Sequence, residues 1–193
     1  VAGPPIDIAP FDAQTGANFH NTTSEYIAVA PNSEFGVAEG SIQLWFNTRD
    51  ASRTQMLFAK DRSGTGEGQI AIWIAGGDLK VKLESTSGSR FIDTNGTAFD
   101  NLVSSNQWHQ LAFTFGPTGM KLYLDGLQVG SNGYTGGLAG NKQPIVIGGN
   151  NGTNLDDSGD LALLRITNPF NGFIDEVSFF GTALSAEQIA QTR

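Results

Sequence analysis

Between Trp108 and Val129 the chain spells out an antiparallel meander. In Trp108-His109-Gln110-Leu111-Ala112-Phe113-Thr114-Phe115, Leu111, Phe113 and Phe115 recur at every second position, which is the period of a strand with one apolar face. Gly116-Pro117-Thr118-Gly119 turns the chain, and Met120-Lys121-Leu122-Tyr123-Leu124 brings it back. Asp125-Gly126 then supplies the two positive backbone angles of a tight hairpin, and Leu127-Gln128-Val129 closes the third strand. His109 points toward the core in this alternation and reads as structural.

Other segments repeat the pattern. Ser41–Thr48 alternates with Ile42, Leu44 and Phe46 on a core face and Gln43, Trp45 and Asn47 opposite. Strands are expected over 56–60, 69–74 and 79–84, the last two joined by a Gly76-Gly77-Asp78 turn. The Gly-rich loop 61–68 precedes a strand, not a helix, which argues against a phosphate cradle. Twenty-five Gly and thirteen Phe suit many short strands joined by tight turns. The fold class is all-β. A length of 193 residues suits one sizeable core, with 1–10 as a proline-bearing linker or edge segment and 11–193 as a single domain.

The end of the chain carries the one helix signal. Asn171-Gly172 reads as a turn, and Phe173–Phe180 as a strand with Phe173, Asp175, Val177 and Phe179 on one face. Asp175 is thereby a carboxylate among apolar neighbours, to be paired, hydrogen-bonded or bound to a cation. Ser185 and Gln188 form a capping box, with Leu184 placed to staple onto Ile189, so a short C-terminal helix follows.

The formal charge is −8, and eleven Lys and Arg supply no basic footprint for nucleic acid. The absence of cysteine excludes disulfides, thiol catalysis and Cys-based zinc, and two histidines do not make a multi-histidine zinc site. Oxygen-ligand metals such as calcium stay open. No apolar run of about eighteen residues spans a membrane. The start at Val1, without Met or an apolar leader, reads as a mature protein or an excised module.

The run Trp-His-x-Leu-Ala-x-Thr-Phe with Lys-Leu-Tyr-Leu-Asp-Gly after it, the strand ending Trp45-Phe46, and the closing Phe-Ile-Asp-Glu-Val-x-Phe-Phe with Ala-Leu-Ser-x-Glu-x-Ile after it resemble laminin-G-like, concanavalin A-like domains of the secreted bacterial kind. The matches follow the family's order over roughly 19–190; His20-Asn21 stands where relatives usually turn on Asp-Gly. The resemblance implies a two-sheet antiparallel jelly-roll sandwich, cut from a larger secreted or cell-surface protein. It implies a non-catalytic binding module for glycan or another cell-surface ligand, a protein included, with a structural calcium. A protein-binding or spacer role is the alternative.

Three groups of residues are candidates for that work. Trp45, Trp73 and Tyr123 lie opposite the aliphatic stripe, where a sugar-stacking platform needs flat rings beside polar groups, though loops covering the sheet would make them ordinary core. Trp108 is placed in the core. The loop 149–160 offers Asn150, Asn151 and Asn154 to a ligand, and Asp156, Asp157 and Asp160 to a metal, without the spacing of an EF-hand; a solvated loop is the bland reading. Asp175 is the other metal candidate, the alternative being capture by loop amides or by Arg165. Glycoside hydrolysis needs two carboxylates flanking a bond. Related glucanases carry Glu-x-Asp-x-x-Glu on one strand, which this chain lacks. No Gly-x-Ser-x-Gly elbow is present. Asn21, Asn95 and Asn151 open N-glycosylation sequons, meaningful only in a eukaryotic secreted protein.

Overall fold

A computed structural model of the chain describes residues 6–7, 16–61, 66–152 and 160–192. In chain order the strands are β1 (Ile6–Asp7), β2 (Ala17–His20), β3 (Ile27–Val29), β4 (Gly40–Thr48), β5 (Gln55–Lys60), β6 (Ile70–Ala75), β7 (Asp78–Ser85) and β8 (Gly88–Asp93). They continue as β9 (Trp108–Phe115), β10 (Met120–Leu124), β11 (Leu127–Asn132), β12 (Ile145–Ile147), β13 (Asn150–Asn151), β14 (Ile166–Thr167) and β15 (Asn171–Phe180), and the helix α1 spans Ala186–Gln191. One sheet runs β1-β15-β4-β9-β10-β11, with β2 sharing the free edge of β15 beside β1; the other runs β3-β12-β5-β6-β7-β8. All pairings are antiparallel. This is the jelly-roll sandwich.

The core lies between the two sheets. Ile42, Leu44, Phe46, Leu111, Phe113, Phe115 and Phe179 from the seven-stranded sheet meet Phe58, Ile70, Ile72, Val81 and Leu83 from the six-stranded one in a single buried cluster. Each such side chain contributes about 1.5–3 kcal/mol relative to exposure. Two hairpin turns follow their chemistry: Asp125 and Gly126 take φ +52° and +81°, and Gly76 and Gly77 take +66° and +86°. Both are two-residue turns in the left-handed region, as the strand twist demands.

The last strand departs from simple alternation twice. Asn171-Gly172 is no turn. Gly172 lies inside β15, opposite Thr48 on one side and Phe19 on the other. Its role is close approach, since a Cβ there would come 2.0 Å from the Asn47 carbonyl oxygen. Farther along, a bulge between Asp175 and Ser178, with Glu176 at φ +48°, adds a residue and resets the phase. Ile174, Val177 and Phe179 therefore face the core. Asp175, opposite Trp45 of β4, stands on the outer side and does not share a face with Val177 and Phe179.

The short helix α1 covers part of the outer side of the seven-stranded sheet. Its capping box is formed: the Ser185 hydroxyl accepts from Gln188 N–H at 3.3 Å, and Gln188 Oε1 accepts from Ser185 N–H at 2.8 Å. Leu184 and Ile189 then bury against Ala112 and Tyr123.

Lys60, at the end of β5, is fully buried, and its ammonium donates to the carbonyls of Asn141 at 2.7 Å and Gln143 at 2.9 Å. Burial pulls its pKa down to about 8. The unfolded chain then holds more protons than the folded one from about pH 8 up to the ordinary lysine value, so folding stability contributed by this site rises with pH across that window. Against a Lys60→Met variant, the wild type should gain about 3 kcal/mol of unfolding free energy over that window, and denaturant melts of both proteins at the two ends check it.

Candidate functional site

The outward face of the six-stranded sheet carries a trough of roughly 300 Å³. Strand pairing sets its floor. Val146, Ala59, Ala71, Lys82 and Phe91 stand in register across β12, β5, β6, β7 and β8. Ala71 leaves space in the lining that a larger side chain would fill. A register shift between Met56 and Phe58 puts Met56, three residues from Ala59, on this same outward side opposite Trp73. Trp73 and Met56 form one wall. Phe91, 52% exposed on β8, borders the other side.

The polar lining comes from two places. At the Lys82 end, the ammonium lies 2.9 Å from Asp61 Oδ2 and 3.3 Å from Glu84 Oε1, and both carboxylates are buried. Burial pulls the Lys82 ammonium down, but the two carboxylates outweigh it and hold its pKa above the ordinary lysine value. At the other end stand Asn150 and Asn168. The ribbon of β13 and β14 pairs Asn150 with Thr167, and Asn168 accepts Met56 N–H through its carbonyl at 2.9 Å, which pins the ribbon beside β5. Asn150 Oδ1 is shielded and takes no hydrogen bond. The result is an apolar slot with an amide and an ion pair at its ends, the usual make-up of a small-ligand site.

The three aromatic candidates are not one platform. Trp73 lines the trough, whereas Trp45 lies on the outer side of the opposite sheet. There Trp45 borders a smaller cleft of roughly 240 Å³ with Gln43, Gln110, Glu176 and Thr192. Tyr123 is on that second outer side too, but α1 covers it to 4% exposure, so it is unavailable for stacking. Trp108, expected in the core, is 42% exposed, because the alternation that turns Leu111, Phe113 and Phe115 inward puts it on the outer face, opposite Asn47. It leans on Phe173 at 6.2 Å, and the Arg49 guanidinium sits 4.7 Å from the Phe173 ring centre.

Of the loop candidates, Asn151 is buried beside Asn150 on β13, and Asn154, Asp156 and Asp157 lie outside the described residues. Asp160 caps a single helical turn, its Oδ1 accepting from Ala162 N–H at 2.9 Å. Asp175 is 3% exposed, and its Oδ1 accepts from Glu176 N–H, the next residue of the strand, at 2.8 Å. Among the described residues no three of His, Cys, Asp and Glu converge on one point that could hold a metal. His109 is structural: Nδ1 is 2.8 Å from Asp125 Oδ2, Nε2 accepts from Ser104 N–H at 3.3 Å, and the ring lies 5.6 Å from that of Phe46.

A family model described as the concanavalin A-like lectin/glucanases superfamily matches residues 21–190. The chain belongs to that superfamily. Comparison with curated protein sequences gives no match. Among solved structures, this superfamily member is similar to the CBM40 of the Ruminococcus gnavus IT-sialidase at 15% identity and TM-score 0.64, over 100% of this chain and 98% of that one. Domain 4 of AbnA, a GH43 extracellular arabinanase from Geobacillus stearothermophilus, solved with arabinotriose, is 20% identical with TM-score 0.60, over 86% and 71% of the two chains. The LG4-5 domains of the mouse laminin alpha1 chain follow at 15% identity and TM-score 0.59, over 88% and 42%. At these identities the likeness is one of fold.

Proposed function

We propose that this domain is a non-catalytic carbohydrate-binding module of an extracellular protein, and that the trough at Trp73 is its glycan site. The observation that carries this reading is the trough's construction: a flat ring and a methionine over an alanine floor, with an unsatisfied Asn150 acceptor and the Lys82–Asp61 pair within the same roughly 300 Å³. A sugar ring stacks on the first set and its hydroxyls pair with the second. The likeness to a sialidase CBM40 and to an arabinanase domain solved with arabinotriose supports it. Asp61 and Glu84 both face one ammonium, an arrangement of charge partners and not of an acid and a base set on either side of a bond. A glycan array on the purified domain tests the reading, with specific hits expected and an empty array leaving a spacer module.

A protein partner is the second reading. The observation favouring it is the Trp108–Phe173–Arg49 patch on the opposite outer side, aromatic and arginine side chains being the usual anchors of protein interfaces. Calcium belongs to this proposal through the acidic loop 150–160, because Asp175 is not part of any group of three such side chains among the described residues. Chelator is expected to lower the melting temperature of the wild type and not that of an Asp156→Asn/Asp157→Asn variant. An unchanged wild-type melt removes calcium from the proposal.

A further inference from the structure

The cleft beside Trp45, on the outer side of the seven-stranded sheet, has no part in the glycan reading. Strand register builds it: Trp45 of β4 stands between Asp175 of β15 and Gln110 of β9, with Gln43 two residues back along β4. Both glutamines are buried, and both spend their amide nitrogens on Thr192 at the end of α1. Gln110 Nε2 donates to the Thr192 carbonyl at 3.0 Å, and Gln43 Nε2 donates to the Thr192 hydroxyl oxygen at 2.9 Å. That hydroxyl gives its own proton to the Ile189 carbonyl at 2.8 Å, so each glutamine has to present nitrogen, not oxygen, to Thr192. Their oxygens are left as acceptors. Gln110 is 2% exposed, and its Oε1 is shielded and takes no hydrogen bond.

The bulge in β15 adds charge. In a regular strand Asp175 and Glu176 would lie on opposite faces, but with Glu176 at φ +48° both are on the outer side, Glu176 exposed and lining the cleft. Neither carboxylate forms an ion pair among the described residues, and no described lysine or arginine lines the cleft. Trp45 and Phe180, both partly exposed, complete the walls. We infer that this cleft binds the ammonium of a lysine side chain presented by a protein partner. The four-carbon stem lies along Trp45 and Phe180, and the head donates to Gln110 Oε1 and the Glu176 carboxylate beside the indole ring. Acceptors supplied by three strands, Gln43 on β4, Gln110 on β9 and Glu176 on β15, suit the diverging N–H groups of an ammonium better than the planar fork of arginine. The formal charge of −8 favours a basic partner on approach. The cleft lies across the core from the trough, so the inference is independent of the glycan reading. It rests on the protein-partner reading and adjoins its aromatic patch, because Trp108 stands two residues before Gln110 on β9.

NMR titration of the isotope-labelled domain tests the inference. With acetyl-Gly-Lys-Gly-amide, the Gln110 carboxamide and Trp45 indole signals should shift and saturate. The same peptide with its lysine Nε-acetylated keeps the stem and loses the charge, and should bind about tenfold or more weaker. Affinity for the lysyl peptide should fall between about 20 and about 500 mM salt. Glu176→Gln, a change at an exposed side chain, and Gln110→Leu should each weaken it about fivefold. An acetylated peptide that binds as tightly as the lysyl one overturns the inference, and so does a lysyl peptide that moves neither signal. Both comparisons need only the wild type, so a variant that failed to fold would not decide the matter. Arg193 follows Thr192 in the sequence, and binding seen in Arg193→Gln but not in the wild type would assign the cleft to the chain's own cation and also overturn the inference. Peptide signals that shift only Trp108 and Phe173 would keep the protein-partner reading while removing the lysine cleft from it.

Discussion

Trp73→Ala should cost glycan binding about 30-fold or more while leaving the melting temperature within a few degrees of wild type, because a central aromatic anchor in a small site carries about 2 kcal/mol or more of the binding free energy. The fold tolerates the change. Trp73 is partly buried and packs in a small satellite cluster with Met56, Ala59 and Ala71, apart from the main core. Trp45→Ala, on the far sheet, is the matched control and should leave binding intact. Array binding and melting curves for the two variants separate the outcomes. Equal loss from both would place the ligand elsewhere, and no loss from either would remove the trough as the site.

Gly172→Ala is expected to unfold the domain or to destabilise it by about 3 kcal/mol or more, since both its backbone angle and its space are closed to a side chain. The residue sits at φ +150°, and an added Cβ would meet Asn47 O at 2.0 Å and Thr48 Cα at 2.9 Å, backbone atoms of the paired strand that cannot swing aside. The consequence reaches past one contact, because β15 carries β1 and β2 on one edge and β4 on the other. Chemical denaturation of Gly172→Ala beside Gly181→Ala, where no atom lies within 4 Å of the added carbon, isolates the effect of position. Similar midpoints would show that the strand pair gives way at little cost.

The meander was legible because each of its signals is local: alternating side chains in β9 and β10 and a two-residue turn at Asp125-Gly126 whose angles came out as the turn type requires. The α1 capping box is equally local and formed as its sequence indicates. What failed was whatever depends on an insertion or on a neighbour. The bulge at Glu176 leaves no mark in residue types, yet it moves Asp175 to the outer side and Val177 to the core. Asn-Gly at 171–172 has turn chemistry but serves strand contact. Tyr123 does lie opposite the aliphatic stripe, and only the arrival of α1 hides it. Trp108 escapes the core because it is out of phase with Leu111, Phe113 and Phe115, which the alternation itself could have shown. The site was half visible. Trp73 and Asn150 were named from the sequence; Asp61, Lys82, Met56 and Phe91 were not. Alternating charge in β7 did flag Lys82 as solvent-facing and puts Glu84, two residues on, on the same face, but Asp61 comes from beyond β5, which only strand pairing brings near. Phe91 lies in a short polar stretch, Gly88–Asp93, with too little apolar pattern to read as a strand.

The chain's first described strand, β1, and its last element, α1, both sit on the seven-stranded sheet, β1 at its edge and α1 across its outer side. The trough opens from the other sheet. The first and last described elements and the trough thus belong to different sheets, with the core between them. A label carried on α1 therefore sits across the core from the proposed glycan face and leaves that face clear.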